Sequence, residues 1–365
     1  MAVKIDDTDI RAAVAAGYLT EAQAANVLGL AAARQTSADG RRMDDEPFQL
    51  FRGFNEVFVT VGLLMFAGGF LFAIKAISLD TAMAWAVLVG LLWICAEYLT
   101  RRRRMTLPSM ALAAVIVYLA AHGTFGFLEA RLFRNADFWP VVYGLCAGLA
   151  AGALFYWRFR LPFALFLIGL TALSAALLAA GAIDPEHWRT TVKGKPLALL
   201  DISIGSAFAW IILGLGIIGF ALAMRFDMAD PHRLSRQSAC GFWLHLLAGP
   251  ALVNTLALTL LNQHTVFAYA GLLGLIILIV AVSLIIDRRS FMLSAVAYMT
   301  ALIANVLFKE TGETDLGVPL IILCLGLLIV ALGAGWTSAR GFLMRRLPDG
   351  TWKKRLPPYI GEAPN

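Results

Sequence analysis

Ten apolar stretches, each about as long as a bilayer's hydrocarbon core is thick, dominate this sequence and restrict what it can fold into. A spanning helix needs about 20 mainly apolar residues, because the core is ~30 Å thick and each residue rises ~1.5 Å. Stretches of this kind fall at 55–77, 80–100, 107–126, 138–157 and 161–181, and again at 202–224, 239–261, 266–286, 290–308 and 316–337. In lipid every backbone N–H and C=O must be satisfied within the chain, which makes helices the spanning element for segments of this length. Composition agrees, since 60% of the 365 residues are hydrophobic and 15% charged, whereas a soluble domain carries about 25% charged residues. The expected fold is all-α, a polytopic transmembrane helix bundle of about ten spans.

The direction of threading follows from Lys and Arg, which cytoplasmic flanks retain. With the N-terminus inside, the cytoplasmic side collects Arg52, Arg101 to Arg104, Arg158, Arg160, Arg225, Arg233, Arg236, Arg288, Arg289 and the basic tail. About 23 of the 30 Lys and Arg then lie inside, the asymmetry expected of a correct count and orientation. Both termini are expected to be cytoplasmic. Three parts result: a cytoplasmic helical hairpin and linker at 1–53, a transmembrane domain at 54–338 and a basic cytoplasmic tail at 339–365. The first fifty residues contain no apolar h-region, so insertion is expected to use the first spanning helix. The net charge of +6 is split into short clusters at helix ends, and this argues against a nucleic-acid partner.

Before the membrane, Gly17 is placed to end a first short helix in the left-handed conformation, and Thr20 with Gln23 forms a capping box for a second. The apolar seam of this hairpin is small, so it is expected to pack on the membrane domain or on a protein partner. The segment Ala15-Ala-Gly-Tyr-Leu-Thr-Glu-Ala-Gln23 ahead of a many-span domain resembles a bacterial family of polytopic membrane proteins without an assigned activity. The stretch from Arg225 to Pro250, with Phe242-Trp-Leu-His-Leu-Leu-Ala-Gly-Pro250, is similar to members of such families. The resemblance implies a bacterial inner-membrane location and supplies no mechanism.

Ionisable groups deep in a membrane are costly and usually functional. Glu97 lies four residues before Arg101, the spacing of an ion pair at a helix end. Glu56 falls in the first turn of the first span, where a carboxylate complements the helix dipole. The polar groups left for the interior are His122, His245, Asn254, Ser294, Tyr298 and Asn305. His245 and Asn254 are about half a turn out of phase on one helix, with Pro250 between them. Ser294, Tyr298, Ala301 and Asn305 recur at helical spacing on one face of the ninth span. His245, Asn254, Ser294, Tyr298 and Asn305 are the candidate lining of a central cavity, with interhelical hydrogen bonding as the alternative.

Gly144, Gly148 and Gly152 follow one another at four-residue spacing, which allows close backbone approach between membrane helices. Gly62, Gly69, Gly205, Gly214, Gly216, Gly219, Gly326 and Gly333 mark further candidate crossings. In the loop from Arg225 to Ser238, Asp230 is placed to cap a helix beginning at Pro231, and Arg233 and Arg236 are candidates for contact with lipid headgroup phosphate. Asp227, Asp230 and His232 have no recognised metal-ligand spacing. Cys95, Cys146, Cys240 and Cys324 each lie in apolar segments and form no CxxC pair. Phosphate-loop, HExxH and GxSxG signatures are absent from the sequence, so no cofactor or metal is expected. The leading expectation is a transporter-like or lipid-handling protein for a neutral or lipidic substrate, with membrane lipids as partners. A scaffold or signalling role through the hairpin is one alternative. An interfacial enzyme using Asp227, Asp230, His232 and His245 is another.

Overall fold

The computed structural model describes residues 10, 13–14, 16–20, 23–24, 53–76, 81–131, 138–186, 188, 201–204, 207–231, 233, 235–263, 265–296, 299–300 and 317–359. The chain divides into two compact units, Met1–Pro47 and Phe48–Asn365. In the first, Gly17 has φ 75°, and Tyr18 N–H closes the helix end by donating to the Ala13 carbonyl at 2.9 Å. The capping box forms as its residue types require, with Thr20 N–H on Gln23 Oε1 at 3.0 Å and Gln23 N–H on Thr20 Oγ1 at 3.3 Å.

The second unit is a bundle of helices, and no strand occurs among the described residues. In chain order these are α1 Phe54–Ala76, α2 Thr81–Ala96, α3 Thr106–Arg131, α4 Trp139–Phe159, α5 Phe163–Ile183, α6 Ala207–Ala229, α7 Arg236–Leu261, α8 Val266–Ile286, α9 residues 289–296, and α10 Gly317–Arg346. A π-helical segment, Glu97–Arg102, extends α2. Among the described residues nine helices are long and apolar enough to cross a membrane. The ninth expected span begins as α9 and continues into residues outside those described. Gly123 and Gly126 do not break α3, which runs on to Arg131. Large apolar side chains such as Phe58, Met65, Phe72, Trp157 and Leu327 stand exposed on the outer faces, where lipid rather than water is the solvent.

Two apolar cores organise the bundle. One joins α1 to α5 around Leu88, Leu92, Ile116 and Phe155, and the other joins α7 to α10 around Leu258, Ile279, Phe291 and Trp336. Helix α7 is the most enclosed of the described spans, with 61% of its apolar window buried against 11–33% for the other eight. That enclosure explains how His245 and Asn254 are both buried although they point to opposite faces.

The α4 glycine ridge packs directly on α3. A Cβ on Gly144 would lie 2.5 Å from the Ala121 carbonyl oxygen, one on Gly148 3.1 Å from the Val117 oxygen, and one on Gly152 3.3 Å from Val117 Cγ2. The other glycines divide. Gly216 and Gly219 of α6 face Ala251 and Ala248 of α7, whereas Cβ atoms on Gly62, Gly69, Gly214, Gly326 and Gly333 would meet nothing within 4 Å among the described residues. Gly205 lies outside the described residues.

Two carboxylates support the starts of helices that follow them in the chain. Glu56 is buried, and its Oε2 accepts from the Thr106 and Leu107 amides at 3.1 and 3.0 Å, so it satisfies orphan donors at the start of α3. Asp230 does not cap a helix at Pro231. It accepts from the amide and hydroxyl of Ser235, both at 2.8 Å, and Ser235 in turn caps α7 at Gln237. The helix starts later than expected because Arg233 adopts φ 56°, a left-handed turn that helical backbone does not allow.

Candidate functional site

The α6–α7 turn and the junction between α8 and α9 carry the polar chemistry of the membrane domain. Asp227, in the last turn of α6, is 5% exposed; His245 of α7 and Arg288, between α8 and α9, are 0% and 1% exposed. Arg288 grips the Asp227 carboxylate with two donors. Its Nε reaches Oδ2 at 2.9 Å and its Nη2 reaches Oδ1, while Nη2 also donates to the Ser238 carbonyl at 2.9 Å. His245 Nε2 meets Asp227 Oδ2 at 2.9 Å, and the ring packs against Phe220 and Phe291. Gly241 makes room, since a Cβ there would collide with Asp227 Oδ1.

A second set shares the same end. Asp287 ends α8 with φ 56° and accepts from Trp336 Nε1 at 2.7 Å. Arg233 pairs with its carboxylate at 3.2 Å, and Arg340 approaches at 3.6 Å while donating to the Leu284 carbonyl at 3.1 Å. The remaining Arg340 donors reach the Pro357 and Pro358 carbonyls at 2.6 and 2.7 Å, which ties the tail to α10. Glu97 at the end of α2 binds Arg101 at 3.3 Å, as its spacing predicts, and also Arg158 at the end of α4 at 2.9 Å. These bonds bring the ends of α2 and α4 together, and likewise the end of α6, the start of α7 and the α8–α9 junction. Such pairings are those of successive antiparallel spans.

On the adjoining face of α6 and α7 the surroundings change completely. Phe226 and Leu244 immediately precede Asp227 and His245, and the ~100° step of a helix turns them the other way. They form part of an apolar groove of about 380 Å³ between α5, α6 and α7, which also includes Ile168, Ala172, Leu215 and Gly219. This volume falls within the ~300–1,000 Å³ of small-molecule sites. The α6 lining runs from Leu215 to Phe226, about 16 Å at ~1.5 Å per residue, which is about half the ~30 Å core. The groove is therefore about one leaflet deep.

The polar residues singled out in the sequence do not line this groove. His245 is engaged by Asp227. Asn254 is buried with no hydrogen-bond partner for its Oδ1 among the described residues. Ser294 donates to the Phe291 carbonyl at 3.1 Å, and its oxygen sits where a Gly249 Cβ would be, at 2.5 Å. Tyr298, Asn305 and His232 lie outside the described residues. His122 is sandwiched among Tyr118, Trp85 and Phe125. Of the two headgroup candidates, Arg236 is exposed, whereas Arg233 turns inward to Asp287 because that carboxylate is nearly buried and requires a counter-charge. Among the described residues no three His, Cys, Asp or Glu groups converge as a metal site. Arg288, Asp287, Trp336 and Arg340 were not singled out in the sequence. Their signal is Asp287-Arg288-Arg289 between two apolar runs, a connection so short that its charges stay close to the helix ends.

At the opposite ends of α6 and α7, Asp201 forms a separate knot. It is buried and accepts from Asn262 Nδ2 at 2.7 Å, the Ser203 hydroxyl at 2.6 Å and the Ser203 amide at 2.8 Å. Burial opposes its charge, but these hydrogen bonds and that of Thr259 outweigh burial and hold the carboxyl below the ordinary aspartate value. The folded state thus binds this proton more weakly than the unfolded chain. Its stabilisation is complete above the ordinary value and disappears as pH falls through the lowered one. On acidification from about pH 5 to about pH 2 the Tm of the wild type is expected to fall more steeply than that of Asp201→Asn. Parallel curves in a thermal-shift series would refute the assignment.

Comparison with known protein families, with curated proteins and with solved structures finds no match for this chain.

Proposed function

We propose that this protein handles lipids in a bacterial cytoplasmic membrane, with both termini on the cytoplasmic side, by taking an acyl chain of one leaflet into the groove between α5, α6 and α7. The groove is the observation that carries this reading. Its lining is apolar, it lies within spanning segments where acyl chains are the surrounding solvent, and its depth matches half a bilayer. A small ion would find no charged or polar ligand along these walls. The cytoplasmic assignment rests on the 23-to-7 distribution of Lys and Arg, and the bacterial inner membrane on the resemblance of the N-terminal segment. With this orientation the groove belongs to the inner leaflet, and the Asp227 and Asp287 networks clamp the helix ends beside it.

Gly219 provides the test. A Cβ there meets only Ala248 Cβ, at 3.7 Å, so Gly219→Leu fills the groove without a backbone collision. Removing a side chain's worth of burial for the ligand costs roughly 1.5–3 kcal/mol, about tenfold or more in occupancy. In liposomes containing a fluorescent phospholipid, the wild type is expected to accelerate lipid movement and Gly219→Leu to lose about tenfold or more of that activity, with insertion unchanged. A wild type that moves no lipid, or a variant as active as wild type, overturns the proposal.

A further inference from the structure

We propose that the π-helical turn Glu97–Arg102 is a seat for a phosphoryl group, a site separate from the apolar groove and independent of the lipid-handling reading. The sequence Arg101-Arg-Arg-Arg104 places four guanidiniums at the end of α2. There the α-helix gives way to six residues of π-helix, a local widening that recurs at functional sites. Beside it opens a pocket of about 620 Å³ formed by Ile94, Glu97, Tyr98, Arg101 and Arg102.

The charges around this pocket do not balance. Glu97 is shared between Arg101 at 3.3 Å and Arg158 at 2.9 Å. Arg103 is held against Tyr98, with its Nε donating to the hydroxyl at 3.0 Å and its guanidinium 5.6 Å from the ring centre. The nearby Glu56 is engaged by the Thr106 and Leu107 amides. Among the described residues this leaves Arg102 and Arg104 exposed with no carboxylate partner. Arg102 is the one of the two that lines the pocket.

The pocket also has a direction. Ile94, about two turns before Arg102 and 67% exposed, forms its wall toward the membrane interior, and the arginines form its polar end. That order, apolar then cationic, is the order of acyl chain then phosphate in a phospholipid at an interface. Guanidinium is suited to such a group because its planar fork donates two bonds to phosphate oxygens at once. The ligand chemistry is an anionic phosphoryl group, from a lipid headgroup or from free phosphate.

The test uses the full-length protein in detergent, with tryptophan fluorescence and thermal shift as readouts. Phosphatidylglycerol, phosphatidylcholine and inorganic phosphate are added separately at matched ionic strength. Arg102→Gln, whose side chain holds no fold contact among the described residues, is compared with Arg346→Gln, an exposed arginine at the end of α10. Diffuse attraction to an anionic surface contributes about fivefold per arginine wherever it sits. Loss of phosphatidylglycerol binding by more than about tenfold in Arg102→Gln, with about fivefold or less in Arg346→Gln, supports the seat and assigns it to a headgroup. Saturable protection by inorganic phosphate that Arg102→Gln abolishes supports it with a soluble source. Equal losses in the two variants, or no response to either phosphoryl ligand, overturn it.

Discussion

Replacing Arg288 by alanine is expected to destabilise the membrane domain by about 3–5 kcal/mol, the largest effect of any single substitution considered for this protein. The side chain is 1% exposed and provides two of the donors to an Asp227 carboxylate that is itself 5% exposed. Its removal leaves a buried carboxylate with His245 as its remaining partner in the pair network, in a region where water cannot restore the lost solvation. The Ser238 carbonyl loses its donor as well. A compensated variant separates charge from packing. Asp227→Asn combined with Arg288→Met removes both charges and keeps volume, and it is expected to recover most of the loss because apolar replacement of a buried pair is often close to neutral. Thermal unfolding in detergent at fixed lipid content measures all three proteins. An Arg288→Ala protein within about 1 kcal/mol of wild type would mean that the pair is solvated.

The second large effect is expected at Gly144. A Cβ added there would lie 2.5 Å from the Ala121 carbonyl oxygen and 3.0 Å from Phe125 Cβ. The first obstacle is backbone, so α3 and α4 must separate rather than repack a side chain. Gly144→Ala is expected to cost about 1–3 kcal/mol, the range of overpacked sites, and Gly144→Leu more. Along the ridge a Cβ on Gly148 would likewise lie 3.1 Å from the Val117 carbonyl oxygen, while one on Gly152 would meet side chains alone, Ile168 of α5 at 3.1 Å and Val117 at 3.3 Å. Gly62 is the control, because nothing among the described residues lies within 4 Å of a Cβ there and alanine improves helix propensity by about 1 kcal/mol. Resistance to proteolysis in liposomes is expected to fall for Gly144→Ala and to hold or rise for Gly62→Ala. Equal behaviour of the two would show that the α3–α4 crossing is looser than its geometry.

The sequence was most informative where a property is local or repeats along one helix. Gly17, Thr20 and Gln23 are read correctly because a cap involves atoms three or four residues apart. Glu97 and Arg101 are read correctly for the same reason. The Gly144, Gly148 and Gly152 ridge is visible because one helix carries all of it. Gly62 and Gly333 carry the same local signal and meet no packing partner among the described residues, since the signal describes what a helix permits and not which neighbour arrives. Asp230 and Arg233 show the converse. Each had a sound local role, as a cap and as a headgroup contact, but Asp287, more than fifty residues away, needs a counter-charge and draws Arg233 into the protein.

The candidate site divides in the same way. Asp227 and His245 are both visible in the sequence as groups of interest, whereas Arg288 and Arg340 read only as cytoplasmic positive charges and Asp287 and Trp336 carry no signal of their own. The groove was invisible, because leucine, alanine and glycine that line it are indistinguishable in sequence from those that face lipid or fill a core.

What the sequence determines by itself is the all-α, many-span architecture. Backbone hydrogen bonding in lipid permits few alternatives, and the length and spacing of the apolar runs register that constraint directly. What only the tertiary structure decided is which face of each span meets protein, which ionisable groups leave the interface to pair inside, and where a leaflet-deep groove remains between α5, α6 and α7. Those outcomes depend on partners far away in the chain. Within a membrane the apolar faces of a helix are nearly equivalent in solvation, so shape and a few buried charges choose among them.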